Sequence, residues 1–296
     1  MPAQLWEMPS WKRHVVYRND SHRTYQVETG DIDGDGDPDI VLATKTDNGL
    51  GWLQNNGPST KWRMTWIRTD CARCFYARVA DVDQDGHNDV LATQDTSAQG
   101  GRLYRFTYST DPCRQDKWTA HDIATFPPGH GASVFKILDF DQDGDTDIFV
   151  ANHEGDVFLV QNLCGESPSE EWSVHRLNEW DSHQGHDFRE LDVGDIDADG
   201  DLDVVVADEC LNLVLWFENP GDVKRGYWPS HIVDRSRHYL KWCHCVDLGD
   251  ADGDGDLDIA VASCGGNAFL IYLNCLQEGV RPAKSYTEVE KASSGD

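Results

Sequence analysis

Carboxylates at alternate positions are the first feature of this 296-residue chain able to do chemistry. Five stretches carry Asp at their first, third, fifth and ninth places: Asp31, Asp33, Asp35 and Asp39; Asp81, Asp83, Asp85 and Asp89; Asp139, Asp141, Asp143 and Asp147; Asp195, Asp197, Asp199 and Asp203; Asp250, Asp252, Asp254 and Asp258. A hard cation takes roughly six to eight oxygen ligands, and this spacing turns several carboxylates toward one centre, with Gly at the sixth place allowing the sharp turn. The expected cofactor is therefore calcium in a structural role, at up to five sites, the ninth Asp closing each oxygen cage. An EF-hand would need Glu at the twelfth place and a following helix. That place is held by Leu42, Ala92, Val150, Val206 and Val261, inside apolar runs such as Asp203-Val-Val-Val-Ala, so each loop opens into a β-strand.

Histidine is the second reactive type. Four of the twelve (His14, His121, His175, His231) recur at one place in the repeat, where packing or hydrogen bonding is the expected role, and His87 lies in a calcium loop. The other seven do not repeat: His22, His130, His183, His186, His238 and His244 precede the loop-bearing units, and His153 follows one. Three places before each first loop Asp stand Glu28, Arg78, Lys136, Asp192 and Asp247, and two further back Gln26, Tyr76, Val134, Glu190 and Cys245. Such a ring either fills a channel with salt bridges or, with the histidines beside it, supplies the acids and bases that an elimination requires. A His or Tyr76 would abstract a proton, Arg78 or Lys136 would stabilise negative charge, and a second His or a carboxyl group would protonate the leaving group. Glu28, Glu190, Asp192 and Asp247 also leave glycoside hydrolysis open. Tyr25, Trp180, Tyr239 and Trp242, with His153 and His238, are candidates for holding a sugar or another flat ligand. Nucleophile elbows, phosphate-cradling loops and dinucleotide fingerprints are missing from the sequence, so triad hydrolase, kinase and nicotinamide chemistry lack support.

The elements that must position these residues repeat at spacings of 50, 58, 56 and 55 residues. A Trp-x-x-His-x-Ile type segment precedes each loop (Trp11, Trp62, Trp118, Trp172 and Trp228 head them), and two apolar runs follow it. Each unit thus offers four short strands, the quota of one propeller blade. The expected fold is all-β: a five-bladed β-propeller over residues 1–275, with four-stranded antiparallel blades centred on 31–39, 81–89, 139–147, 195–203 and 250–258, and the N-terminal strand closing the last blade. Residues 276–296 read as a polar, disordered tail. Antiparallel order places the seven unique histidines and the ring at the strand ends opposite the Asp loops, where propellers commonly bind ligands.

These loops, with Trp216-Phe-Glu-Asn-Pro-Gly221, resemble the FG-GAP or VCBS-type calcium propellers with integrin-like blades, over residues 11–275. The resemblance implies the fold and structural calcium. Similar propellers include adhesion proteins, lectins, polysaccharide lyases and sugar dehydratases, and stand-alone relatives in natural-product pathways. Five repeats here depart from the commoner seven blades.

Composition narrows the classes further. Of 53 acidic residues, 24 are Asp within the five loops, and the remaining 29 nearly balance 25 Lys and Arg, so the charge of −28 is concentrated where cations would offset it. Nucleic acid is an unsuitable partner for that surface. No apolar run is long enough to insert in a membrane, and Met1–Ser10 lacks signal-peptide character. The expectation is a soluble protein, cytoplasmic if the chain is full length and secreted if a signal peptide was removed. Nine cysteines leave at least one unpaired within the chain; Cys210 and Cys264 occupy nearly equivalent places and are the candidates to pair, while most cysteines read as reduced and structural.

The reading is therefore an enzyme with one central pocket opposite the calcium loops. Its chemistry would be of lyase or dehydratase type on an oxygenated small molecule or sugar, with dehydration coupled to cyclisation or cycloaddition as an extension. Divergent connecting segments beside closely repeated scaffold support a single site, since a multivalent lectin would repeat its binding residues. A calcium-stabilised carbohydrate-binding propeller or protein-interaction module is the alternative. Oligomeric state and any catalytic metal stay open.

Overall fold

The computed structural model describes residues 13–20, 23–44, 49–57, 61–71, 73–163, 172–179, 185–222, 226–236 and 239–276. Among the described residues nineteen strands form five antiparallel sheets, taken up in chain order, with no sheet closing on itself. The first is β1 (Thr24–Gly30), β2 (Asp39–Thr44), β3 (Leu50–Gln54) and β4 (Arg63–Arg68); the second is β5 (Cys74–Ala80), β6 (Asp89–Gln94), β7 (Arg102–Tyr108) and β8 (Trp118–Thr125). The third is β9 (Phe135–Leu138), β10 (Asp147–Ala151), β11 (Val157–Asn162) and β12 (Trp172–Arg176); the fourth is β13 (Phe188–Gly194), β14 (Asp203–Asp208), β15 (Leu213–Phe217) and β16 (Ser230–Asp234). The fifth has three strands, β17 (Cys243–Gly249), β18 (Asp258–Ser263) and β19 (Ala268–Tyr272). Among the described residues helix is limited to single 3-10 turns at Ser97–Gln99 and Gln115–Lys117. Count and strand order are those of a five-bladed propeller, and among the described residues no helix is long and apolar enough to cross a membrane.

The chain divides into two compact units, one of residues 1–133, 142–146 and 161–173, the other of 134–141, 147–160 and 174–296. Each has its own core. In the first, Val41, Trp52, Ala77, Val90 and Phe106 pack together; in the second, Val205, Val214, Leu240, Val246 and Val261 do. The second strands β2, β6 and β14 are apolar on both faces because both are covered, and each fully buried Val, Leu or Phe contributes about 1.5–3 kcal/mol. Gly30 marks how closely sheets approach in the first unit: a Cβ there would meet Val79 Cγ1 at 2.5 Å.

Three expectations meet different facts. Residues 13–18 form no strand, Trp11 lies outside the described residues, and among those described the fifth sheet has three strands. Among the described residues no outer strand pairs with β19, where Phe269 is 69% and Ile271 50% exposed. On the inner strands, Ala77, Phe135, Leu191 and Val246 are buried as alternation requires, whereas Val27 is 56% exposed. The candidate Cys210–Cys264 pair is not formed: both thiols are free, and among the described residues the disulfide is Cys71–Cys74, with Cα atoms 5.6 Å apart.

Candidate functional site

Inner strands run toward the Asp loops, so the segments that lead into them and the turns between second and third strands emerge at the opposite strand ends. In the second unit this end gathers charge. His186 and Asp187 lead into β13, Asp208 ends β14 and Glu209 begins the β14–β15 turn, His153 lies in the β10–β11 turn, and His244 is the second residue of β17.

Two imidazole–carboxylate pairs form there. His186 Nδ1 lies 2.5 Å from Asp208 Oδ2, and His153 Nδ1 lies 2.7 Å from Asp187 Oδ1. Asp208 is fully buried, and its Oδ1 accepts the backbone N–H groups of Asp187 (3.2 Å), Cys210 (3.1 Å) and Leu211 (3.0 Å). Each contact sets a carboxylate oxygen against Nδ1, the arrangement in which Nδ1–H donates and Nε2 is left as the basic nitrogen. Because His186 and Asp187 are consecutive, one peptide links the two pairs. Arg189 Nη2 donates to Asp187 Oδ2 at 2.8 Å and the same guanidinium pairs with Glu209, whose Oε1 is 3.6 Å from His244 Nε2. Burial, followed by the Asp187, Asp208 and Glu209 carboxylates, pushes the Cys210 thiol up, away from thiolate chemistry.

Gly155 makes room for this arrangement. It has φ +87°, and a Cβ on it would stand 2.2 Å from His186 Cβ. Asn152 holds the tight turn around it, its Oδ1 accepting the N–H groups of Glu154 (3.1 Å) and Asp156 (2.8 Å).

Further along the inner strands of this unit, Lys136 Nζ stands 2.9 Å from Asp192 Oδ1, and Asp192 Oδ2 accepts the Leu248 N–H at 2.9 Å. Burial works to raise the Asp192 carboxyl, but Lys136, the Asp247 carboxyl and the Leu248 N–H outweigh it and hold Asp192 low. Asp247 is raised in turn, first by its hydrogen bond to Asp192 and then by burial. The expected charged ring is therefore a proton-sharing pair beside an ammonium at this point.

In the first unit, Arg78 Nη1 contacts Glu28 Oε2 at 3.4 Å, and Gln26 Oε1 accepts the Ala77 N–H at 2.9 Å. Tyr25 packs against Phe75 (4.9 Å between centroids) and edge-on against Tyr76 (5.6 Å), while His130 caps a turn through its backbone N–H to Pro127 O at 3.0 Å. In the second unit Glu190 is half-buried, and Tyr239 and Trp242 are 40% and 54% exposed. His22, Trp180, His183 and His238 lie outside the described residues. Asp187, Asp208, Arg189 and Glu209 were missed by sequence reasoning. The signal available was adjacency, since Asp187 follows His186 and Glu209 follows a strand-ending Asp.

The Asp loops share one scaffold. In the first, Asp31 Oδ1 accepts Gly34 N–H at 2.9 Å and Oδ2 accepts Gly36 N–H at 2.9 Å; buried Asp39 accepts Ile32 N–H (3.1 Å) on one oxygen and Asn55 N–H (2.7 Å) on the other. The same bonds recur at Asp195 with Asp203 and at Asp250 with Asp258, where Asn219 and Asn274 replace Asn55. The ninth Asp is thus first a post that ties the loop to its sheet. Burial raises Asp39, takes Asp203 to about 6 and Asp89 to about 7. Metal-sized clusters of three carboxylates occur in all five loops, and among the described residues only there. The donors are all oxygen, and in the first loop Asp33 Oδ1 is buried with no hydrogen-bond donor. Both features fit a hard cation such as calcium.

Solved structures carry a likeness of fold alone. A chain of apo ctPRC2 in an autoinhibited state aligns at TM-score 0.57 and 13% identity, covering 90% of this chain and 54% of that one, so this chain spans about half its length. An Agrocybe aegerita lectin that recognises non-reducing terminal N-acetylglucosamine gives TM-score 0.38 and 16% identity, with 85% and 79% of the two chains covered. The PQQ-bound aldose sugar dehydrogenase of Streptomyces coelicolor gives 0.36 and 11%, with 86% and 91% covered. No curated protein matches the sequence. The family model described as FG-GAP-like repeat matches three times, over residues 31–92, 139–206 and 195–261, which is more than half of the chain. The chain belongs to the FG-GAP-like repeat family.

Proposed function

We propose that this protein is an acid–base enzyme of lyase or dehydratase type, acting on an oxygenated small molecule or sugar at the His153–Asp187 and His186–Asp208 pairs. One observation carries the reading: two imidazoles, each with Nδ1 held on a carboxylate, are linked through the consecutive residues His186 and Asp187. An elimination needs one group to take a proton from carbon and another to give one to the departing oxygen. Two oriented imidazoles supply both roles. Asp187, Asp208 and Glu209 outnumber Arg189 here, which suits a neutral or cationic polyhydroxylated ligand better than an anionic one. Loss of water would leave an unsaturated product able to cyclise or enter a cycloaddition, the kind of step natural-product pathways use.

Calcium in this reading is structural. Asp31, Asp33 and Asp39 in the first loop, and the first, third and fifth carboxylates in the other four, would hold it, and it would supply only the positive charge that lets a dense Asp loop stay folded.

Exposed Trp242 and Tyr239 beside His244 favour a second reading, carbohydrate binding without turnover. Incubating the calcium-loaded protein in D2O with a panel of polyols, sugars and polyketide-like hydroxyketones, followed by mass spectrometry, separates the two. Loss of water or uptake of deuterium that disappears in His186→Ala and His153→Ala supports the enzyme. Ligands that bind in calorimetry and return unchanged, with no deuterium, overturn it in favour of the lectin-like reading.

A further inference from the structure

The second Asp loop differs from the others at three places, and the differences converge. Its seventh position is His87, where the other four loops have Asp37, Asp145, Asp201 and Asp256. In sheet register, the residue paired with the third residue of the following strand is Trp52 opposite Val41 and Trp216 opposite Val205, but Arg105 opposite Leu91. The place of Asn55 and Asn219, three residues further on, is held by Tyr108.

Arg105 reaches into the loop. Its Nη1 lies 3.1 Å from Asp83 Oδ2 and its Nε 3.9 Å from Asp89 Oδ2, so the guanidinium touches the third and ninth carboxylates together. The side chain is only 11% exposed. A cavity of about 60 Å³ beside it is lined by Asp83, His121, Asp122 and Trp172. By contrast, the third carboxylate of the first loop receives a neutral donor, Gln54 Nε2 at 2.6 Å from Asp33 Oδ2, and its other oxygen has none.

We propose that in the second loop the Arg105 guanidinium takes the place of the cation, so that this loop is closed by an internal ion pair and binds calcium more weakly than the other four. The inference rests on the reading of those four as calcium loops. One carboxylate fewer and one buried positive charge more both oppose a divalent ion, and together they weaken affinity by roughly tenfold or more. The second sheet then keeps its loop closed when calcium is withdrawn, giving the first unit one calcium-independent blade.

Calcium stoichiometry tests this directly, by equilibrium dialysis of the whole chain at a free calcium concentration that saturates the tight sites. Arg105→Gln is expected to bind one calcium more per chain than the wild type. Asp83→Asn is expected to leave the stoichiometry unchanged, whereas Asp33→Asn loses one ion, so the comparison survives even if one variant folds poorly. Loss of one ion in Asp83→Asn, or equal stoichiometry in wild type and Arg105→Gln, overturns the role of Arg105 while leaving the calcium reading intact. No calcium on either protein overturns both.

Discussion

His186 Nδ1 and Asp208 Oδ2 are 2.5 Å apart at a carboxylate that is wholly buried and already accepts three backbone N–H groups on its other oxygen. A histidine held only for packing does not need a carboxylate so fully satisfied; one whose basic nitrogen must be Nε2 does. Asp208→Asn keeps the shape but presents an amide that can donate to Nδ1, reversing the tautomer. Turnover on any substrate found is expected to fall by about 10²–10⁴-fold. The ¹⁵N shifts of the His186 ring would report the proton on Nε2. An unchanged ring spectrum together with unchanged turnover would show that the pair is structural only.

Gly155 offers an independent test of the same ring. With φ at +87° and His186 Cβ only 2.2 Å from where a Cβ would sit, Gly155→Ala must move either the turn or the histidine. The expected result is a loss of about 1–3 kcal/mol in urea unfolding together with lost activity. Gly144, also at positive φ but with open space around it, is the control: Gly144→Ala costs backbone strain without touching the site. Equal effects on activity from both would remove the special place given to Gly155.

Sheet count, loop positions and outer strands were legible because each rests on local pattern: an Asp at the ninth place must be followed by a strand, and Trp62, Trp118, Trp172 and Trp228 announce the fourth. His153, His186 and His244 were found by asking which histidines do not repeat. Their partners were not, because Asp187, Asp208 and Glu209 look like ordinary strand-end acids until His153 is brought over from another sheet. That approach has a sequence separation of 34 residues, which no periodicity encodes. Arg105 escaped for a different reason. It sits in β7 among Leu103, Tyr104 and Phe106 and reads as solvated until register places it where Trp52 and Trp216 stand in other repeats.

Lys136 holds two carboxyl groups that would otherwise repel. It keeps Asp192 low while Asp247 is raised and shares the proton. A carboxylate with a depressed folded pKa adds stability above its unfolded value, and that contribution is lost as pH falls through the folded value. Lys136→Met removes the cause of the depression. The gap in melting temperature between variant and wild type is therefore expected to be largest at neutral pH and to close below about pH 4. A gap that stays constant across the range would mean that the variant loses packing of the lysine stem instead.

Withdrawal of calcium should produce a pH dependence of the opposite sign. Burial takes Asp203 to about 6 and Asp89 to about 7, from an ordinary value of 3.8. Between the ordinary and the raised values the folded chain binds protons that the unfolded chain has released, so stability falls as pH rises from about 4 to about 7 and then levels off. Calcium needs the ionised carboxylate, so its stabilising effect grows over the same window. Thermal unfolding in chelator should therefore show a melting temperature that declines across the window, and in excess calcium one that declines less. Self-repulsion of the acidic surface acts in the same direction, so Asp203→Asn is the discriminating variant: in chelator its decline near pH 6 should be shallower than that of the wild type. A melting temperature that rises through the window in chelator would mean that these carboxylates are ionised and paired in the metal-free fold.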